Sequence, residues 1–167
     1  MEFLVYINDA GELPSEFQGS IGIYAIFDRA KTLQFVGYSR DIYLSLKQHL
    51  VRQPDHCYWL KATTIERPNR TFLEDVRTAW IADNGTVPVG NGDASQTWVD
   101  AIETTYAMTE AERSSFDDLD GVAQIKLLKV VARRVEETIL TQLKERGVQT
   151  EIRFNPKLKE QGLLDLK

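Results

Sequence analysis

The sequence predicts an α/β protein: a small three-stranded antiparallel sheet flanked by helices, followed by a mainly helical C-terminal extension. Three observations support this class. Runs of β-branched and aromatic residues occupy 21–27, 33–37 and 57–65. Apolar residues recur at helical spacing after the second and third runs, and a long amphipathic stretch covers 121–146. Short strands alternating with helices are typical of α/β folds.

The first two strands are predicted to form a hairpin. The run IGIYAIF (21–27) is separated from LQFVG (33–37) by the five residues DRAKT, a length typical of antiparallel connections. The preceding residues, 1–19, contain the apolar run FLVYI and then a turn-rich stretch. They are predicted to form an N-terminal arm or a short edge strand.

The first helix is predicted to begin after Asp41 and to end before Pro54. Leu46 and Leu50 recur at helical spacing within it. Asp41 is the predicted N-cap because its carboxylate can accept hydrogen bonds from the free backbone N–H groups of the first turn.

The second helix follows the third strand and is predicted to end at Asn84-Gly85. Thr71 and Glu74 have the spacing of a capping box, in which each side chain accepts a hydrogen bond from the other residue's backbone N–H. This spacing gives Glu74 a structural role in the first turn of the helix.

A loop rich in glycine and proline, TVPVGNGDAS (86–95), predicts a boundary. The chain would then consist of an arm at 1–19, a core domain at 20–92 and an extension at 93–167. The extension is expected to pack on the same core.

The extension is predicted to be mainly helical. Thr109 and Glu112 have capping-box spacing before a short helix, and Gly147 supplies a stop after the long helix 121–146. The alternating run VQTEIRFN (148–155) predicts a final strand.

The charge distribution limits the function classes. A net charge of -5 argues against a generic nucleic-acid binder, because neutralising phosphates supplies most non-specific affinity. Residues 21–80, however, carry nine Lys/Arg against six Asp/Glu, whereas residues 81–120 carry one against nine. Solvated surfaces of both signs are the simplest interpretation, and the basic segment leaves a nucleic-acid partner open.

The compartment is predicted to be cytoplasmic. No apolar run approaches the roughly 20 residues that a membrane span needs, so no membrane partner is expected. The N-terminus lacks the basic start of a secretory signal. Cys57 is the only cysteine, which excludes an intrachain disulfide.

Several motifs follow a known order and spacing: GIY at 22–24, FVG at 35–37, YSRDI at 38–42, His49, and a proline–x–x–asparagine loop ending at Asn91. Together they resemble the GIY-YIG nuclease family over about residues 20–92. The resemblance implies strands and helices in the order predicted above. It also implies hydrolysis of nucleic-acid phosphodiesters with one Mg²⁺ or Mn²⁺.

Three residues match catalytic positions of that family: Tyr24, His49 and Asn91. Each also has a structural interpretation. Tyr24 fits a half-buried strand aromatic, His49 lies at apolar-face spacing on its helix, and Asn91 stands between two glycines in a turn.

Three functional groups that the family uses are missing. Phe35 lacks the hydroxyl of the expected tyrosine, and Ser45 and Arg77 occupy the positions of the phosphate-binding arginine and the metal-binding glutamate. Serine cannot replace a guanidinium fork, and an arginine would repel a cation. Glu74, one turn before Arg77, is the alternative metal ligand, with its capping role as the competing interpretation.

The sequence therefore favours a catalytically degenerate protein of this family that binds nucleic acid or a protein partner, without a cofactor. An active endonuclease using Mg²⁺ or Mn²⁺ at a rearranged site is the alternative, and a small-molecule or structural role is the third. A protein partner is expected on an apolar stripe of the extension that includes Trp98, Tyr106 and Phe116. A nucleic-acid surface would place six basic residues on one face: Arg40, Lys47, Arg52, Lys61, Arg70 and Arg77.

Overall fold

A computed structural model describes all residues from 1 to 167. The chain divides into two compact units, Met1–Asp100 with Gly147–Thr150 and Ala101–Arg146 with Glu151–Lys167. The arm 1–19 and residues 93–100 thus belong to the first unit. None of the helices has the length and apolar character needed to cross a membrane.

The first unit is built on a four-stranded antiparallel sheet with the order β1-β4-β2-β3. Its strands are β1 (Leu4–Val5), β2 (Ile21–Phe27), β3 (Leu33–Ser39) and β4 (Trp59–Ile65). The α/β class and the antiparallel hairpin are confirmed, but the predicted count of three strands is wrong. The N-terminal arm adds a short edge strand, in which Leu4 pairs with Leu60 and Val5 with Trp59.

Two helices, α1 (Ile42–Arg52) and α2 (Arg70–Asn84), cover opposite faces of this sheet. On β2, Ile23 and Ala25 pack with Leu73 of α2, whereas the intervening Tyr24 contacts His49 of α1. Successive side chains of a strand point to opposite faces, so each helix has its own layer. A short helix, α3 (Ser95–Val99), completes the unit.

The N-termini of α1 and α2 show which of the predicted helix caps form. The predicted cap of α1 is confirmed, since the Asp41 carboxylate accepts from the Leu44 N–H at 3.1 Å. The predicted capping box of α2 is wrong. Asn69 is the N-cap, with its Oδ1 accepting from the Phe72 N–H at 3.0 Å, and Glu74 is therefore free to contact other side chains.

The second unit is organised around the long helix α5. Its elements are β5 (Ile102–Glu103), α4 (Glu110–Ser115), α5 (Gly121–Glu145), α6 (Pro156–Lys159) and β6 (Leu163–Leu164), with β5 antiparallel to β6. The Thr109–Glu112 capping box is confirmed. Arg134 of α5 also binds both carboxylate oxygens of Glu112 at 2.9 and 3.1 Å, and these bonds lower the pKa of Glu112 to about 2.

The predicted final strand at 148–155 is wrong. Only Phe154 of this run pairs, in an isolated bridge with Leu166. The run also crosses the division between the units, because Gly147–Thr150 belongs to the first and Glu151 onward to the second. Alternation of apolar and polar residues over eight positions thus does not produce a strand here.

Candidate functional site

Four buried rings form a cluster between the sheet and α1, which we call the ring cluster: Tyr24, Phe35, His49 and Trp98. Tyr24 Oη lies 2.9 Å from His49 Nε2. The Phe35 and Trp98 rings are stacked, with centroids 5.5 Å apart and planes 3° from parallel. The structure therefore brings two predicted catalytic residues, Tyr24 and His49, into direct contact.

Burial fixes the protonation of this pair. Desolvation lowers the pKa of His49 to about 3, with a smaller contribution from the charge of Arg52, and the Trp98 carbonyl opposes this effect. Desolvation also raises the pKa of Tyr24 well above its usual value. Both groups are neutral at pH 7, and the tautomer of His49 decides which of the two atoms donates the proton in this hydrogen bond.

Two glycines allow the rings to pack this closely. A Cβ atom on Gly37 would lie 2.5 Å from Phe35 Cε1 and 2.8 Å from Tyr24 Oη. A Cβ atom on Gly90 would lie 2.7 Å from the Gln34 carbonyl oxygen and 3.0 Å from the Phe35 and Trp98 rings. The glycine that ends the FVG triplet is thus required by packing, whatever chemistry the chain performs.

The third predicted catalytic residue, Asn91, binds the backbone at the edge of the sheet. Its Oδ1 accepts from the Val36 N–H and its Nδ2 donates to the Val36 carbonyl, both at 2.8 Å. Because β3 is the last strand in the sheet order, no neighbouring strand can satisfy these groups. The Asn91 amide takes the place of that strand and protects the edge.

Replacing Asn91 with aspartate is expected to lower the free energy of unfolding by about 1 to 3 kcal/mol at neutral pH. A carboxylate still accepts from the Val36 N–H, but it has no donor for the Val36 carbonyl. Urea unfolding followed by circular dichroism measures the loss. Asn69→Asp is the matched control, because its side chain only accepts and aspartate caps helices equally well. Equal losses in the two variants would contradict this role of Asn91.

A second group of side chains surrounds Tyr38 on the α2 face of the sheet. Tyr38 Oη donates to Glu74 Oε1 at 2.9 Å, and Arg70 Nε donates to the same oxygen at 2.9 Å. The Arg77 guanidinium lies over the Tyr38 ring, 5.1 Å from its centroid. The hydrogen bond from Arg70, followed by that from Tyr38, lowers the pKa of Glu74. Glu74 thus holds Tyr38 and Arg70 together, because one of its carboxylate oxygens accepts a hydrogen bond from each.

The replaced positions Ser45 and Arg77 do not share a site. Ser45 donates to the Ser39 hydroxyl at 2.7 Å on the α1 side, whereas Arg77 lies on α2. No group of three or more His, Cys, Asp or Glu side chains in the chain is placed to hold a metal ion. The metal role of Glu74 stays a prediction.

The predicted single basic face is wrong. Lys47 and Arg52 belong to α1, on one side of the sheet, and Arg70 and Arg77 to α2, on the other. Lys61 of β4 lies over the ring of Phe3, 4.2 Å from its centroid.

Arg40 and Arg70, by contrast, line one pocket of the first unit. Arg40 precedes α1 and is exposed, and Arg52 donates to the Trp98 carbonyl at 3.1 Å. Of the residues expected on an apolar stripe of the extension, Trp98 is buried in the first unit, whereas Tyr106 is exposed in the second. A protein partner on the extension stays a prediction.

Cys57, the only cysteine, is fully buried. Its thiol donates to the His49 carbonyl, with sulfur and oxygen 3.6 Å apart. A thiol enclosed in this way is not a reactive nucleophile, since the thiolate is the reactive form and apolar burial disfavours it.

Comparison with known proteins finds a relative that is similar to part of this chain. No family model matches the chain. The chain is 35% identical over 100 residues to the bifunctional monothiol glutaredoxin-S16, chloroplastic, of Arabidopsis thaliana. The match covers 58% of this chain and 33% of that protein, so the chain spans about a third of the relative's length.

This match contradicts the nuclease interpretation, because the relative is named as a monothiol glutaredoxin. The assignment to the GIY-YIG family is therefore wrong, as is the function of binding or cleaving nucleic acid that followed from it. The relative is chloroplastic, and the cytoplasmic location of this chain stays a prediction.

Proposed function

We propose that this chain is a non-catalytic binding module that works with a thiol-redox protein of the monothiol glutaredoxin class. The burial of Cys57 carries this proposal. The chain resembles one third of a bifunctional protein named for thiol chemistry, yet its own single thiol is enclosed in the core. The redox chemistry would therefore come from the partner, and this chain would contribute binding.

The partner surface is proposed on the second unit, along the exposed side of α5. At about 100° per residue, six exposed residues fall within an arc of roughly 80°. We call this set the α5 face: Val122, Lys126, Val130, Arg133, Leu140 and Lys144. Exposed apolar side chains bordered by charged ones are typical of protein interfaces.

The charge of the α5 face indicates the charge of the surface that it would bind. Lys126, Arg133 and Lys144 are opposed only by Glu137 within the same arc, which leaves an excess of positive charge. The complementary surface is acidic around an apolar centre, and such complementarity accelerates encounter and excludes positively charged competitors. The proposed partner is thus a glutaredoxin-type protein with an acidic docking patch.

Titration of the chain with a purified monothiol glutaredoxin by isothermal calorimetry tests the proposal. We expect a complex whose Kd rises at least tenfold, about 1.4 kcal/mol, in a Val130→Asp, Arg133→Glu double variant. Val99→Asp, at an exposed apolar residue of the first unit, is the matched control and should bind as the native chain does.

The same titration tests whether the Cys57 thiol takes part in binding. A Cys57→Ala variant is expected to keep the affinity of the native chain, since the buried sulfur takes no part in binding. Failure of the native chain to bind, or an unchanged Kd in the α5-face variant, would overturn the proposed interface. Loss of binding in a folded Cys57→Ala variant would overturn the non-catalytic role.

A further inference from the structure

A pocket of about 360 Å³ opens on the first unit, between the end of β3 and the start of α2. Arg40 and Arg70 line it together with Tyr38. Its apolar wall is formed by Ile21, Pro68 and Leu73. Neither the ring cluster nor the α5 face contributes a residue to this pocket.

Arg70 is held in place by a chain of hydrogen bonds. Its Nε donates to Glu74, which also accepts from the Tyr38 hydroxyl, each at 2.9 Å. Hydrogen bonding to Glu74, and then to Tyr38, raises the pKa of Arg70. Its side chain is 82% exposed, so a ligand can reach the remaining donors of the guanidinium. A guanidinium that is already oriented loses less conformational entropy on binding an anion.

The local charge favours an anion. Arg40 is exposed and forms no ion pair, whereas Arg70 is paired with Glu74. The Arg77 guanidinium, which lies over the Tyr38 ring, also acts on Glu74, so the arginines here outnumber the single carboxylate and leave an excess of positive charge. Guanidinium groups bind carboxylates through paired, charge-assisted hydrogen bonds.

The apolar wall and the volume of the pocket indicate the size and polarity of the remainder of the ligand. A cavity of about 150 Å³ lined by apolar side chains accommodates benzene, so a pocket of about 360 Å³ holds a ring-sized group together with an anionic head. Ile21, Pro68 and Leu73 offer that group a surface away from the arginines.

We propose that this pocket binds a carboxylate joined to an apolar group, with the carboxylate between Arg40 and Arg70 and the apolar group on Ile21, Pro68 and Leu73. Two sources share this chemistry, a free organic acid and the C-terminal carboxylate of a peptide that ends in an apolar residue. The proposal does not depend on glutaredoxin binding, which uses the α5 face.

The first experiment compares 3-phenylpropanoate with its uncharged amide, 3-phenylpropanamide, by NMR titration of the isotope-labelled full chain. The acid is expected to shift the backbone signals of Ile21, Arg40 and Arg70, and the amide to leave them in place at the same concentration. Arg40→Gln and Arg70→Gln are each expected to weaken binding at least fivefold. Arg113→Gln, an exposed arginine of the second unit, is the matched control and should leave the affinity unchanged.

The second experiment separates the sources. A short peptide ending in phenylalanine with a free carboxylate is titrated beside the same peptide with a C-terminal amide. Tighter binding than 3-phenylpropanoate by the free peptide alone supports a peptide ligand, and weaker binding supports a free acid. Equal shifts from the acid and its amide would overturn the proposal. Inorganic phosphate binding as tightly as the acid would overturn it too, because the apolar group would then contribute nothing.

Discussion

Replacing Trp98 with alanine is expected to lower the free energy of unfolding by about 3 to 5 kcal/mol. Trp98 is 2% exposed, and its indole is stacked on Phe35 and contacts the His49 ring. Truncation removes the apolar area that folding buries there. It also leaves a cavity that the sheet and α1 can fill only in part. Urea unfolding monitored by circular dichroism measures the loss.

Two control variants separate this effect from a general intolerance of substitution. Trp98→Phe keeps a ring against Phe35 and is expected to lose less than the alanine variant. Tyr106→Ala removes a large side chain that is exposed and is expected to change stability by less than about 0.5 kcal/mol. A loss below about 1 kcal/mol for Trp98→Ala would mean that the ring cluster does not contribute to the core as its geometry indicates.

Several elements that depend on neighbouring residues are predicted correctly from the sequence. The hairpin of β2 and β3 follows from two β-branched runs and a short turn, and the Asp41 cap bonds a residue three positions away. The Thr109–Glu112 capping box is equally local. The residues that form each of these contacts lie only a few positions apart in sequence, so periodicity and capping rules can identify them.

Contacts between distant residues decide what these rules leave open. Residues 1–19 are predicted to form an arm or a short edge strand, and the pairing of β1 with β4, more than fifty residues later, produces the strand. Glu74 has capping-box spacing from Thr71, but Asn69 caps the helix first, and the carboxylate binds Tyr38 and Arg70 instead. Of the two residues that bind Glu74, Arg70 lies four residues away in sequence and Tyr38 lies 36 residues away.

The motif triplets show why a sequence pattern can suggest the wrong function. Tyr24 and Phe35 place rings on one face of the hairpin, and Gly37 is the residue that leaves space for both. The Asn91 side chain forms hydrogen bonds with the backbone N–H and carbonyl of Val36 at the edge of the same hairpin. Each residue of the pattern therefore has a packing or hydrogen-bonding reason in this chain. In this chain the pattern reports how the hairpin packs.

Lowering the pH from about 8 to about 4.5 is expected to remove about 2 to 3 kcal/mol of stability through His49 alone. An unfolded histidine takes up a proton below its ordinary pKa of 6.5, whereas burial keeps the pKa of His49 in the folded chain at about 3. Between these values the unfolded state binds one more proton. Acidification therefore favours unfolding, and the stabilisation is complete only above the unfolded pKa.

The measurement is urea unfolding at a series of pH values for the native chain and for His49→Gln. Glutamine can accept from the Tyr24 hydroxyl but does not titrate, so the difference between the two curves isolates His49. Glu112 affects stability at lower pH. Its pKa of about 2 lies below the ordinary value of 4.5, so its stabilisation is lost only as the pH falls from the higher of these values to the lower. If the free energy of unfolding changed with pH in the same way in the native chain and in His49→Gln above pH 4.5, protonation of His49 would not destabilise the folded chain. The buried neutral Tyr24–His49 pair would then be the wrong description of the ring cluster.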